Sequence, residues 1–214
     1  MAGNTLYHHE TIYRGHDQVT RLGNTRITVF GAGAIGSNLV ENLVRQGVNQ
    51  LFVLDKDRVE RHNVGTQIYG LSDVGQQKVQ ALMDRLYLAT NAEIGTVAKE
   101  LDQGNVKRYV KGNGLIVDAF DNTASRRLLQ DECRKHNVPC LHVGLFADYG
   151  EVIWDERYTV PNDNGEDICD YPLARNIIML TVAIASEAIV NFLLEGKRRS
   201  FRVTLKDLQV RELS

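Results

Sequence analysis

The chain has 214 residues, 43% of them hydrophobic and 24% charged, with 25 basic against 27 acidic side chains and a formal charge of −2. That is enough apolar material for one packed domain and too little net charge for a disordered chain. The near balance argues against a general nucleic-acid binder, which is normally basic, and leaves room for a local phosphate pocket.

Arg26 to Phe30 (RITVF) is short and β-branched, which predicts a strand. Gly31 to Ser37 (GAGAIGS) follows at once, and Leu39, Val40, Leu43 and Val44 then fall at helical spacing. Gly47 is placed to end that helix. Leu51 to Leu54 (LFVL) predicts the next strand, stopping at Asp55. Asp73 to Leu88 reads as a helix with Asp73 as its N-cap. Leu115 to Val117 reads as a buried strand, Thr123 to His136 as an amphipathic helix, and Pro139 to Leu145 as another strand.

After that the rhythm changes. Gly150 to Trp154 and Arg157 to Val160 predict strands joined by short turns. Pro161 to Asp170 is a polar, acidic loop. Ile177 to Leu194 is apolar but interrupted by Thr181, Ser186, Glu187 and Asn191, so it is expected as a buried helix and not a membrane span. Phe201 to Leu205 and Leu208 to Val210 are expected to close the fold as a hairpin. The whole predicts an α/β, Rossmann-like, mainly parallel sheet flanked by helices, with a C-terminal antiparallel strand extension. Within one domain it divides into an N-terminal helical segment (1–25), a nucleotide-binding core (26–145), and the extension with the long helix (146–214).

Met1 to Glu10 lacks an apolar signal core. The three cysteines, Cys133, Cys140 and Cys169, form no CxxC, which disfavours a disulfide framework and structural zinc. Both features point to the cytoplasm; the interrupted apolar helix and the near-balanced charge predict neither a membrane nor nucleic acid as partner.

Gly31-Ala32-Gly33-Ala34-Ile35-Gly36 combines a tight turn, close backbone approach to phosphate and close helix–strand packing. The N-terminus of the following helix adds N–H donors and partial positive charge for an anion, and Ala34 and Ile35 of the motif are counted with the nucleotide contacts. Asp55, about 20 residues on, stands where a carboxylate accepts from ribose hydroxyls. To this point NAD and ATP fit equally, and an NAD(P)-dependent dehydrogenase is an alternative.

The sequence beyond Asp55 separates them. Asp55-Lys56-Asp57-Arg58-Val59-Glu60 runs into Asn63-Val64-Gly65-Thr66-Gln67. Lys78 follows, and later Asp118-Ala119-Phe120-Asp121-Asn122 with Arg126 four residues on. In this order the series resembles the ThiF/MoeB superfamily, the adenylating enzymes related to the ubiquitin-activating enzymes. The likeness runs from about Tyr7 to Leu208.

The resemblance implies ATP and Mg²⁺ as cofactors. It implies adenylation of the C-terminal glycine carboxylate of a ubiquitin-like or sulfur-carrier protein, or of a peptide, with release of pyrophosphate. Asp121 becomes the metal-binding carboxylate, leaving Asp118 as a buried strand-end residue. Lys78 pairs with phosphate. Asp57, Asn63, Gln67 and Asn122 join the nucleotide contacts. Arg126 is read two ways, as a site cation and as a helix-face salt bridge. A homodimer follows from the apolar long helix, from Tyr7-His8-His9, and from the family's habit of completing each site across two subunits.

Two departures stand out. Thr66 occupies the place of the family's arginine, and His9 that of its N-terminal arginine. His9, and less so His8, are therefore candidate site residues, with Arg14 and Arg58 as substitute cations. The zinc-binding CxxC pairs of some members are missing. Cys169 is read as an ordinary loop cysteine, with a thioester role as the alternative. The departures also leave room for a non-catalytic ThiF-like subunit that binds nucleotide or a partner.

Overall fold

The computed structural model describes residues 6–161 and 172–213. The expectations for Cys169 and for most of the acidic loop fall outside these residues. Two helices open the described chain, α1 (His8–Arg14) and α2 (His16–Asn24). Then come β1 (Ile27–Phe30), α3 (Ala34–Arg45), β2 (Leu51–Leu54), α4 (Lys78–Thr90), β3 (Gly95–Val97) and α5 (Val106–Val110). They are followed by β4 (Leu115–Asp118), α6 (Thr123–His136), β5 (Cys140–Phe146), β6 (Tyr149–Trp154), α7 (Arg175–Glu195), β7 (Ser200–Thr204) and β8 (Val210–Leu213).

Among the described residues one eight-stranded sheet runs β3-β2-β1-β4-β5-β6-β7-β8. The first five strands in that order are parallel, and β6, β7 and β8 continue it antiparallel. Strand alternation sends Ile27 and Val29 to one face, against α3, α4 and α7, and Phe30 to the other, against α5 and α6. The predicted fold class is therefore observed. α7 is long and apolar enough to cross a membrane. Here it packs on α3 and on the β5–β7 part of the sheet, burying Ile177, Ile178, Val182, Ile189 and Val190.

β1 lies between β2 and β4, so the chain leaves it toward opposite sides of the sheet. The crevice at such a switch point is where open α/β sheets bind ligands. Phe30 pairs with Asp118 at the strand ends, and Ala119 N–H donates to the Phe30 carbonyl at 2.9 Å. The glycine turn and the Asp118–Asp121 turn are thereby neighbours.

Some local expectations need correction. Asp73 does not cap a long helix. It ends a short 3-10 turn, Leu71–Asp73, where its carboxylate accepts from Gly70 N–H at 2.8 Å and pairs with Arg85. Val74 is extended and Gly75 has φ +91°, so the helix restarts only at Lys78. Arg157 to Val160 is no strand. It follows a turn in which Arg157 N–H reaches the Trp154 carbonyl at 2.9 Å. Tyr158 and Val160 alternate because they pack on Ile153, not because they join a ladder. The closing hairpin is real, but its second strand lies later, at Val210–Leu213. β3 and α5 were not expected; their three and five residues carry too little periodicity to register.

Candidate active site

The glycine turn is shaped by steric need. Gly31 has φ +97°, and a Cβ there would sit 2.7 Å from the Ala119 carbonyl oxygen. A Cβ on Gly36 would meet the Gly31 carbonyl oxygen. At Gly33 nothing lies within 4 Å, so that position opens toward whatever occupies the crevice. The first turn of α3 follows, with its unpaired N–H groups facing the same space.

Asp55 at the end of β2 braces this turn. Its Oδ2 accepts from Ala32 N–H at 2.6 Å and its Oδ1 from Asp57 N–H at 2.7 Å. Burial pushes its carboxyl above the usual range, against the pull of Lys78. Tyr69 adds a second brace by donating to the Ala32 carbonyl at 2.8 Å. Lys78, the first residue of α4, is buried, and its Nζ lies 3.0 Å from Asp57 Oδ2.

The segment after Asp57 forms a 3-10 turn, Arg61–Gly65. Asn63 is buried there and spends its Oδ1 on Glu60 N–H at 2.8 Å. Asn38 Nδ2 of α3 donates to the Thr66 carbonyl at 3.0 Å, which clamps the segment above the helix start. Gln67 is 9% exposed, and its Oε1 is buried with no hydrogen-bond partner among the described residues. An orphaned acceptor costs free energy unless a ligand or water completes it.

At the end of β4 the two aspartates of the turn part company. Asp118 is wholly buried. Its Oδ2 is 2.8 Å from His142 Nδ1 and 3.5 Å from Arg126 Nη1. Arg126 donates to Tyr158 Oη at 2.9 Å and to the Val143 carbonyl at 2.8 Å. His142 Nε2 reaches Asp155 at 3.3 Å, and its ring stacks on Tyr158 with centroids 3.9 Å apart. Burial opposes ionisation throughout, yet the pairings win. Arg126 and His142 hold the Asp118 carboxyl below the usual range, and Asp118 and Asp155 push the imidazole up. Hydrogen bonds from His142, Arg134 and Gln130 outweigh burial at Asp155 and bring it to about 2. Asp121, by contrast, is exposed. Asn122 caps α6, accepting from Ser125 N–H at 2.8 Å.

These residues surround a cavity of about 690 Å³ lined by Gly33, Ala34, Ile35, Asp57, Asn63, Gln67, Lys78, Asp121 and Arg126. Its far wall comes from the antiparallel extension, with Gly144, Tyr149, Glu151 and Tyr158. A second compartment of about 180 Å³ adjoins it, lined by Gly31, Asp55, Lys99, Leu101 and Asn122. Gly33, Asp57, Lys78 and Asp121 border both. Thus the glycine turn, Asp55, Asp57, Asn63, Gln67, Lys78, Asp121, Asn122 and Arg126 meet in one crevice. His9 is not among the described lining residues. It is exposed on α1, with the His8 ring 5.3 Å away. Arg14 binds Glu10 and Glu187, and Arg58 binds the Gly75 carbonyl, so neither lines the cavity.

Sequence reasoning missed His142, Tyr158, Tyr149 and Glu151. The one available signal was His142, a lone polar side chain inside the apolar strand PCLHVGL. Among the described residues no cluster of three metal-ligating side chains occurs.

The profile of the ThiF family matches residues 7–172. The SAMP-activating enzyme E1 of Haloferax volcanii is 34% identical over 134 residues, covering 62% of this chain and 50% of that protein. The sulfur carrier protein ThiS adenylyltransferase of Bacillus subtilis is 30% identical over 134 residues, 61% of this chain and 40% of that protein. The chain thus spans half the length, or less, of these relatives. In fold it resembles the crystal structure of E. coli MccB with ATP, with a TM-score of 0.82 over 99% of this chain and 72% of that one, at 14% identity.

Proposed function

The chain belongs to the ThiF family, and from that premise we propose that it is an ATP-dependent adenylyltransferase acting in the cytoplasm. Its acceptor is the C-terminal glycine carboxylate of a ubiquitin-like or sulfur-carrier protein, or of a peptide. The reading is carried by one observation. A single cavity joins the α3 N-terminus, Lys78 and an exposed Asp121 to a wall built by the antiparallel extension. Nucleotide phosphates and an incoming carboxylate need adjoining walls of that kind.

The chemistry suits the residues present. A terminal carboxyl has a pKa of roughly 3.5 and is already an anion at neutral pH. Its oxygen attacks the α-phosphorus, the bond to the bridging oxygen breaks, and pyrophosphate leaves with the electron pair. No general base or protein nucleophile is required. Positioning and charge compensation supply the rate. Asp55 keeps the turn in shape and faces the compartment that suits the ribose. The α3 N–H groups and Lys78 face the phosphates. Asp121, with Asp57 beside Lys78, offers the hard oxygen ligands that Mg²⁺ prefers. Bound there, Mg²⁺ would neutralise triphosphate charge.

The reading includes a homodimer. Ile12 and Tyr13 on α1 are 69% and 78% exposed, and Met179 on α7 is 44% exposed. The Arg14–Glu187 pair at 2.7 Å ties the two helices into one surface. Light scattering at micromolar concentration should show a dimer; a monomer removes this part of the proposal.

A second reading, a non-catalytic nucleotide-binding subunit, is favoured by Thr66, which lines the cavity where the family resemblance expects an arginine. An arginine supplied to related phosphoryl chemistry is worth about 10³–10⁵ in rate. ATP–pyrophosphate exchange with a small Gly-ending carrier separates the readings. Acceptor-dependent exchange supports the enzyme, and Thr66→Arg should leave it equal or faster. Normal ATP binding with no exchange supports the subunit. Tight NAD binding without ATP binding would remove both.

A further inference from the structure

The larger cavity is poor in uncommitted cations. Among the described residues lining it, the basic side chains are Lys78, Arg126 and His62. Lys78 is held by Asp57 at 3.0 Å. Arg126 spends Nη1 on Tyr158 and Nη2 on the Val143 carbonyl, with Asp118 at 3.5 Å. His62 is different. Its side chain is 60% exposed, and its partner is Glu60, whose Oε2 lies 3.6 Å from Nδ1. Among the described residues nothing else binds it, so Nε2 is available to a ligand.

Its place is as telling as its freedom. His62 rides on the 3-10 turn that Asn38 clamps to α3 through the Thr66 carbonyl. Ile68 N–H, just beyond, reaches Ser37 Oγ of α3 at 3.4 Å. The turn therefore hangs over the helix start, where the backbone donors for phosphate lie. Thr66, on the same turn, brings no charge.

We propose that His62, the cavity-lining basic side chain of this turn, is the one that meets the outer phosphates of the nucleotide. The inference rests on the proposed ATP-dependent function. It concerns this chain's own residue and leaves the identity of the acceptor open. Lys99 is the competing cation, but it borders only the smaller compartment beside Asp55. There it would face the nucleoside end.

Titration calorimetry with ATP and with AMP tests the proposal on four proteins: wild type, His62→Gln, His62→Lys and Lys99→Gln. The exposed position lets each His62 variant fold. His62→Gln should weaken ATP about tenfold and leave AMP unchanged, because AMP lacks the outer phosphates. His62→Lys should restore ATP binding. Unchanged ATP affinity in His62→Gln overturns the proposal. So does an equal loss for AMP and ATP, or a selective loss of ATP in Lys99→Gln alone. A wild type that binds no ATP overturns the proposed function itself, and the His62 assignment falls with it.

Discussion

The ends of β2 and β4 each carry a buried aspartate, two strands apart in the same sheet, and they solve opposite problems. Asp55 is met by backbone: both oxygens accept from amides of neighbouring turns, at 2.6 and 2.7 Å. Asp118 is met by side chains drawn from α6 and β5, the cations Arg126 and His142. Burial therefore raises the carboxyl of Asp55, while full ion pairing keeps Asp118 below its usual range despite complete burial. The first arrangement shapes a loop for a ligand. The second ties the parallel half of the sheet to the antiparallel extension that forms the cavity's other wall. Asp121, three residues on from Asp118, is left exposed on the cavity wall, where the proposed chemistry needs it.

Breaking the β4 end should cost most. Asp118→Ala leaves Arg126 and His142 buried without their shared carboxylate, and breaking a buried pair on one side costs about 3–5 kcal/mol. Urea unfolding should show that loss, and a change under 1 kcal/mol would mean the network is not structural. Asp55→Ala should act on the ligand more than on the fold. Losing the acceptor for two amides, and the contact proposed for the ribose, should weaken ATP binding by about 1–3 kcal/mol, read by calorimetry.

The same contrast predicts a pH profile. The raised pKa of His142 gives stability that is complete below the ordinary imidazole value of about 6.5 and is lost as pH rises through the raised one. The lowered values of Asp118 and Asp155 give stability that is present above the ordinary carboxyl value of about 3.9. That part is lost as pH falls toward the Asp155 value of about 2. Urea midpoints should decline on both sides, and His142→Gln should flatten the alkaline decline. Smallest is the cap. Asn122→Ala should cost about 1 kcal/mol in stability through the loss of its bond to Ser125; a much larger loss of ATP binding would give Asn122 a direct ligand role.

These two ends were unequally legible. The β2 end is a local arrangement. Glycines, strand and Asp55 lie within one short stretch, so spacing alone placed them. The family resemblance then placed Lys78 and Asp121, which the fold brings to the same crevice. The β4 end depends on residues far along the chain. His142 is 24 positions and Tyr158 32 positions from the partners they bind. No spacing rule links them, and His142 in a strand reads only as an anomaly. Asp73 misled because an N-cap residue and a 3-10 turn look alike until Gly75 takes its positive φ.

The division between a structural Asp118 and a chemical Asp121 is tested most directly by Asp121→Ala. ATP–pyrophosphate exchange with a verified Gly-ending acceptor, ATP affinity and the urea midpoint should be measured on one preparation. In the proposed role Asp121 compensates charge chiefly in the transition state, so exchange should collapse while ATP affinity falls far less and the midpoint holds. Wild-type exchange in Asp121→Ala would contradict the account.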